Sequence, residues 1–135
     1  MQAWQITEFG GQPLLADVPV PIPVKGESAV RVAAVGLNFA DMLAIQGKYQ
    51  VRQPLPFIPG MELAGTVEAL GPGVDGPAIG TRVLATCPAG ALAERISLPV
   101  HRLRPLPDGM GFEEAAGFPI AYGTCLLYTS PSPRD

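Results

Sequence analysis

The sequence contains few of the residues that build metal centres and disulfide frameworks. Its 135 residues include one histidine, His101, and two cysteines, Cys87 and Cys125. A zinc site needs several converging Cys, His, Asp or Glu side chains, and a disulfide scaffold needs more cysteines. We therefore predict no metal site and a reducing, cytoplasmic location. Cys87 is interpreted as a small buried apolar residue and His101 as a surface or packing residue.

Long apolar runs and an excess of positive charge are also missing. Charged residues interrupt each apolar stretch before the roughly 18 residues that a membrane span needs. The first residues, "MQAWQITEFGG", lack the basic flank and apolar core of a signal peptide. The net charge of −3 and the pI of about 5.0 disfavour binding to nucleic acid or to anionic lipid. We expect neither nucleic acid nor a membrane as a partner.

The sequence does contain a series of short alternating segments with turn residues between them. In "SAVRVAAVGL", residues 28–37, apolar side chains recur with the two-residue period of a half-buried strand. The 16 glycines and 16 prolines fall between such segments and indicate turns. Strands are predicted at 3–7, 14–18, 28–37, 61–70, 81–85, 93–98 and 101–106, and helices at 38–47 and 111–118. The pattern favours one mainly β domain, a barrel or a sandwich.

Residues 71–76, "GPGVDG", match the G-x-G-x-x-G string of dinucleotide-binding loops. That mechanism needs a helix N-terminus directly after the string, because its free amides hold the phosphates. Here Pro77 and a further predicted strand follow. We interpret this segment as a turn. The prolines of residues 19–24 exclude a central strand there, since each proline lacks a ladder donor.

The segment "GLNFADMLAIQGKY", residues 36–49, is the best candidate for a functional site. Asn38 lies where a strand gives way to a helix, a place where rigid scaffolds expose polar side chains in clefts. It could equally cap the helix through its side-chain oxygen. Asp41 is expected to face solvent or to serve the first helical turn. Tyr49 is either a surface aromatic or a ring that lines a pocket for a planar substrate.

Several ordered motifs together resemble a known family. They are "VGLNFADMLAIQGKY", "PLPFIPGMELAGTVEALGPGV", "GTRVLA", "GALAERISLP" and "LPDGMGFEEAAGFPIAYGT". They are similar to the N-terminal, GroES-like domain of medium-chain dehydrogenases/reductases, and most of all to the zinc-independent quinone oxidoreductase branch, which includes zeta-crystallin-like proteins. The resemblance implies a mainly β, partly open GroES-like barrel with short helices. It covers about residues 1–124, whereas residues 125–135 look like a non-native or disordered tail.

The resemblance also implies that zinc is not used. Zinc alcohol dehydrogenases of this superfamily have a cysteine where Asn38 stands and a histidine where Met61 stands. An amide is a poor zinc ligand and a thioether is a soft one. The four-cysteine structural zinc lobe is absent too, since "LATCPAGALAE" contains a single cysteine.

The family's chemistry is hydride transfer from NADPH or NADH to a quinone or an α,β-unsaturated carbonyl. By resemblance, Asn38 and Tyr49 are candidate catalytic residues, and Asn38 and Thr124 are candidate contacts to the cofactor. A neutral amide or hydroxyl donor would stabilise the developing oxyanion. A further pocket aromatic of some members corresponds to Leu43 here, which weakens a claim specific to quinones.

Family members continue into a Rossmann domain of about 180 to 200 residues, which would bind most of the cofactor and mediate homodimer formation. This sequence lacks that domain. We therefore expect it to be the first domain of an enzyme, inactive by itself. The alternative is a non-catalytic GroES-like module that acts in assembly or binding.

Overall fold

The computed structural model of the chain describes residues 1–117. Thr124, Cys125 and the predicted tail 125–135 lie outside the described residues. The strands are β1 (Gln2–Gln5), β2 (Leu14–Asp17), β3 (Glu27–Gly36), β4 (Glu62–Leu70), β5 (Arg82–Thr86), β6 (Arg95–Pro99) and β7 (Arg104–Pro105). The helices are α1 (Phe39–Ile45) and α2 (Phe112–Ala116), with a 3₁₀ turn at Val100–Arg102. The predicted mainly β fold is confirmed.

The strands form a five-stranded antiparallel sheet in the order β6-β3-β4-β5-β7 and a separate pair, β1-β2. The longest ladder joins β3 to β4, where Gly36 pairs with Glu62 at one end and Ser28 with Leu70 at the other. This pairing brings the end of β3, where α1 begins, beside the start of β4. Two distant parts of the sequence thereby meet at one edge of the sheet.

The core lies on both faces of the start of β4. One face holds Leu63 in a cluster with Val30, Val67 and Val83, all 0–1% exposed. On the other face, Ala64 packs against Ala115 and Ala116 of α2. Because both faces are covered, the burial of residues 62–65 does not alternate.

One predicted strand is much shorter than expected. Of residues 101–106, only Arg104–Pro105 form a strand, β7. The residues before it form the 3₁₀ turn Val100–Arg102, closed by the Leu103 N–H, which donates to the Val100 carbonyl at 3.1 Å. Pro105 has no N–H to extend the ladder. The strand predicted for this segment is therefore confirmed only at residues 104–105.

Helix α1 and the two excluded segments agree with the sequence predictions. Gly47, at φ 73°, follows the C-cap of α1, a backbone conformation that glycine adopts at helix ends. Residues 71–76 join β4 to β5 with no helix between them, so the turn interpretation is confirmed. Residues 19–24 belong to no strand. Within residues 1–117, no helix is long and apolar enough to cross a membrane.

Candidate functional site

Asn38 lies at the N-cap of α1, directly after β3. Asn38 and Asp41 are arranged as a capping box. In it, the Asp41 side chain accepts a hydrogen bond from the first residue of the box. The backbone N–H of Asn38 donates to Asp41 Oδ2 at 2.8 Å. The carboxamide of Asn38 bonds elsewhere, since its Nδ2 donates to Glu62 Oε1 at 2.8 Å. Asn38 therefore occupies the predicted N-cap position, while its side-chain nitrogen bonds to Glu62.

Glu62, the first residue of β4, is a buried carboxylate that the sequence patterns did not single out. It is 1% exposed and lies opposite Gly36 in the β3–β4 register. A Cβ atom at Gly36 would collide with Glu62 Oε1 and lie 2.6 Å from the Ala116 carbonyl oxygen. The missing side chain at residue 36 therefore provides the space in which the Glu62 carboxylate reaches Asn38.

Asp41 is buried, at 3% exposure. The expectation that it faces solvent is wrong, while its service to the first turn is confirmed. The side chain turns inward because it accepts the Asn38 backbone N–H. Burial raises the pKa of Asp41 above its usual 3.8, the hydrogen bond from Asn38 lowers it, and the nearby Glu62 charge raises it. Asp41 Oδ1 has no hydrogen-bond partner among the described residues.

The raised pKa of Asp41 makes a stability prediction possible. The folded state keeps this proton to a higher pH than the unfolded chain does. As pH rises from 3.8 to the folded pKa, the unfolded state therefore binds fewer protons, and the contribution of Asp41 to stability falls. Asn at this position can still accept the Asn38 N–H but cannot ionise. We expect Asp41→Asn to increase the free energy of unfolding more at about pH 7 than at about pH 3.

Urea unfolding of the chain at both pH values measures this difference. The matched control is Asp108→Asn, which makes the same change at an exposed turn position. Its effect on the free energy of unfolding should be nearly the same at both pH values. A gain for Asp41→Asn that does not change with pH would contradict the buried, high-pKa assignment.

Tyr49 lines a pocket of about 400 Å³ that lies behind α1. Its walls come from Ala44, Tyr49, Val51, Gln53, Met61, Thr86, Cys87, Pro88 and Arg102. Of the two sequence interpretations, the structure favours the pocket ring over the isolated surface aromatic. Met61, directly before β4, lines this pocket, whereas Glu62, the first residue of β4, bonds to Asn38. Asn38 itself is not among the lining residues within residues 1–117.

A larger groove of about 560 Å³ runs past Pro19, Pro21, Pro54 and Pro56. Its only charged side chain among the described residues is that of Arg95, which bonds to Glu68 at 2.7 Å. Size alone would favour this groove. The smaller pocket is the better candidate because Met61, in its wall, directly precedes the buried Glu62.

Cys87 and His101 behave as the sequence predicted. Cys87 is buried, its Sγ donates to the Gly60 carbonyl at 3.5 Å, and His101 is exposed. Burial raises the pKa of the Cys87 thiol to about 11, although the nearby Arg102 charge lowers it. The thiol is therefore protonated near neutral pH. Within residues 1–117, no three His, Cys, Asp or Glu side chains are grouped so that they could hold a metal ion.

The described residues thus form a mainly β domain with a polar strand-to-helix junction at Asn38 and a separate pocket at Tyr49. Residues 24–108 match the family model of the alcohol dehydrogenase GroES-like domain. The chain belongs to this family, and its relatives are quinone oxidoreductase-like and VAT-1 proteins of the medium-chain dehydrogenase/reductase superfamily.

Two relatives illustrate the range. The chain is 41% identical over 129 residues to the human synaptic vesicle membrane protein VAT-1 homolog-like, covering 94% of this chain and 31% of the relative. It is 40% identical over 120 residues to the quinone oxidoreductase-like protein 2 homolog of Nematostella vectensis, covering 87% and 33%. The chain thus spans about a third of the length of the curated relatives it matches.

Solved structures agree with the sequence relatives. The quinone oxidoreductase of Thermus thermophilus, whose complex with NADPH is known, superposes with a TM-score of 0.82 at 44% identity, over 95% of this chain and 40% of that one. The human VAT-1 homolog-like protein superposes with a TM-score of 0.90 at 39% identity, over 96% and 42%. The expected family is therefore confirmed, and the chain is of an oxidoreductase family.

Proposed function

We propose that this chain is the catalytic, N-terminal domain of a zinc-independent NAD(P)H-dependent oxidoreductase whose acceptor is a quinone or an α,β-unsaturated carbonyl. The observation that carries the proposal is the Asn38 carboxamide, held at 2.8 Å by the buried Glu62 where β3 passes into α1. This junction corresponds to the position at which zinc alcohol dehydrogenases of the superfamily have a metal-binding cysteine.

The residues present do not fit zinc. The Asn38 nitrogen donates an N–H to a carboxylate and has no lone pair for a cation, and an amide oxygen is not among the ligands that zinc prefers. Met61, 7% exposed in the pocket wall, presents a thioether, which suits softer ions. The proposed enzyme therefore polarises its acceptor with neutral hydrogen bonds.

The residues do fit a nicotinamide whose tight binding comes from other parts of the protein. When bound, NADPH or NADH supplies the hydride. A carboxamide nitrogen carries two N–H groups, and Glu62 takes one of them. The second N–H is available to an acceptor oxygen or to the cofactor, which Thr124 would contact as well. A neutral donor already held in place stabilises an oxyanion without reorganising during the reaction.

The pocket at Tyr49 would hold the acceptor. Ala44, Val51 and Pro88 give it apolar walls, while the Tyr49 hydroxyl can donate a hydrogen bond. An apolar pocket with few polar groups suits a planar, electron-poor ring or enone. We therefore propose that the protein reduces small molecules. We also propose that the complete protein is a homodimer.

The complete enzyme, with its nucleotide-binding domain, tests this function. We expect NADPH or NADH oxidation that depends on a quinone or enone and that survives exhaustive treatment with a strong chelator. Loss of activity with chelator and its recovery with zinc would refute the metal-free assignment. If the complete protein reduces none of these acceptors, a non-catalytic GroES-like module becomes the correct interpretation.

A further inference from the structure

Within residues 1–117, Glu62 and Asp41 are the two buried carboxylates that bond to Asn38, the residue that carries the proposed function, and only Glu62 accepts from its side-chain nitrogen. We propose that Glu62 is a positioning residue, which fixes the orientation of the Asn38 carboxamide and so determines the group that Asn38 presents to the reactants. This inference rests on the proposed function for its consequence in catalysis. The contact itself can be tested without any catalysis.

The chemistry of the contact selects one orientation. An ionised carboxylate only accepts hydrogen bonds, whereas a carboxamide has a donor end and an acceptor end. The Asn38 nitrogen, not its oxygen, must therefore face Glu62 Oε1 at 2.8 Å. Rotating the amide by half a turn would place two oxygens against each other in a buried setting, where the loss of a charged hydrogen bond costs most.

The surrounding fold fixes the position of the Glu62 carboxylate. Burying a charged group is costly unless it is hydrogen-bonded, and Glu62 is 1% exposed. Its place is fixed by the β3–β4 register, in which it faces Gly36. Any side chain at Gly36 would occupy the position of Oε1. The β3–β4 pairing and the absence of a side chain at Gly36 thus place Glu62 Oε1 within hydrogen-bonding distance of Asn38.

A second carboxylate, that of Asp41, bonds to the backbone of Asn38. Asp41 Oδ2 accepts the Asn38 backbone N–H at 2.8 Å, so the backbone and the side chain of Asn38 are anchored separately. Asp41 acts on the main chain and sets where the residue stands. Glu62 acts on the amide and sets which way it points. The two carboxylates therefore have different roles: Asp41 anchors the backbone of Asn38, and Glu62 anchors its amide nitrogen.

The first test uses a property of the sequence. Asn38 is the only asparagine, so selective ¹⁵N-asparagine labelling of the chain gives one pair of side-chain amide proton signals. The two protons of any primary amide differ, so the urea-unfolded chain is the reference: we expect a wider separation in the folded chain, with one signal shifted downfield by the carboxylate. In Glu62→Gln, whose amide can donate as well as accept, the two signals should converge towards the unfolded separation. An unmodified folded chain with no more than the unfolded separation would overturn the proposal, whether or not the variant folds.

The second test measures catalysis in the complete reductase. Glu62→Gln should lower kcat about 10-fold, because a misdirected group loses its alignment with the reacting atoms, with little change in KM. In an Asn38→Ala background the same substitution should lower kcat no further, which a general structural defect would not reproduce. The matched control is Glu68→Gln on the same strand, since Glu68 pairs with Arg95 at the surface. Its kcat should be unchanged.

The two measurements separate the contact from the function. Converging signals together with a non-additive loss of kcat support the positioning role. Converging signals with an unchanged kcat in an active enzyme overturn it, as does an equal loss in the presence and absence of Asn38. An inactive complete protein refutes the proposed function and the positioning role with it. The amide signals would then still show whether Glu62 holds Asn38.

Discussion

Gly65→Ala should lower the free energy of unfolding by about 3 kcal/mol, at the upper end of the usual cost of overpacking. A Cβ atom at Gly65 would collide with the carbonyl oxygen of Arg31 and lie 2.9 Å from Val30 Cγ1. Gly65 is on β4, the central strand, and pairs with Val32 of β3 and Val83 of β5. Because both neighbours are backbone-bonded strands, the sheet has little freedom to move away from the added methyl group.

Chemical denaturation of the chain measures this loss. The control is Gly117→Ala, which adds the same methyl group at an exposed position with nothing within 4 Å of the new atom. Its φ is −87°, so alanine fits there without backbone strain, and with no contact to the rest of residues 1–117 the change should stay within about 0.5 kcal/mol. Equal denaturation midpoints for the two variants would show that the β3–β4 spacing can widen, contrary to the tight pairing described above.

Local patterns were sufficient to predict most of the secondary structure. Alternation along residues 28–37 and 61–70 predicted β3 and β4, and the glycine at residue 47 predicted the end of α1. The strand predicted at residues 101–106 was too long because its first two residues belong to the 3₁₀ turn Val100–Arg102. A two-residue period is informative only when the segment is long enough to exclude a turn.

The candidate site was only half predictable, for a physical reason. The strand-to-helix change that marks Asn38 is local in sequence, so inspection of residues 36–49 was enough to find it. The partner of Asn38 is 24 residues away, and only the pairing of Gly36 with Glu62 brings the two together. The available signal was a charged residue on the same strand face as Ala64, but it identifies a buried carboxylate only once the covering helix α2 is known.

The apolar residues of α1 show the same dependence on tertiary structure. Phe39 and Met42 have the spacing of one helical face, which is typical of a buried stripe, yet they are 75% and 58% exposed. The buried positions of this helix are Asp41 and Ala44. The N-cap hydrogen bond turns Asp41 inward, and the side chains on the opposite face must then point outward. Helical spacing therefore identified the element correctly but did not show which of its faces is buried.

In the complete enzyme, Asn38→Ala should lower kcat/KM about 10- to 100-fold, the usual cost of removing one preorganised neutral donor. Alanine deletes the carboxamide that Glu62 holds, whereas Asp41 can still accept the backbone N–H of residue 38. Helix α1 should therefore keep its start. Steady-state kinetics with NADPH and a quinone or enone would measure the loss.

The matched control is Gln46→Ala, which removes an exposed carboxamide at the C-cap of the same helix. Its kcat/KM should be unchanged, and its melting temperature should fall less than that of Asn38→Ala, which removes the Asn38 donor from the buried Glu62. If Asn38→Ala also leaves the kinetics unchanged, the amide is only part of the helix cap. The buried Glu62 would then only accept a hydrogen bond from that cap. In the proposed mechanism, Glu62 can affect hydride transfer only by orienting the Asn38 carboxamide.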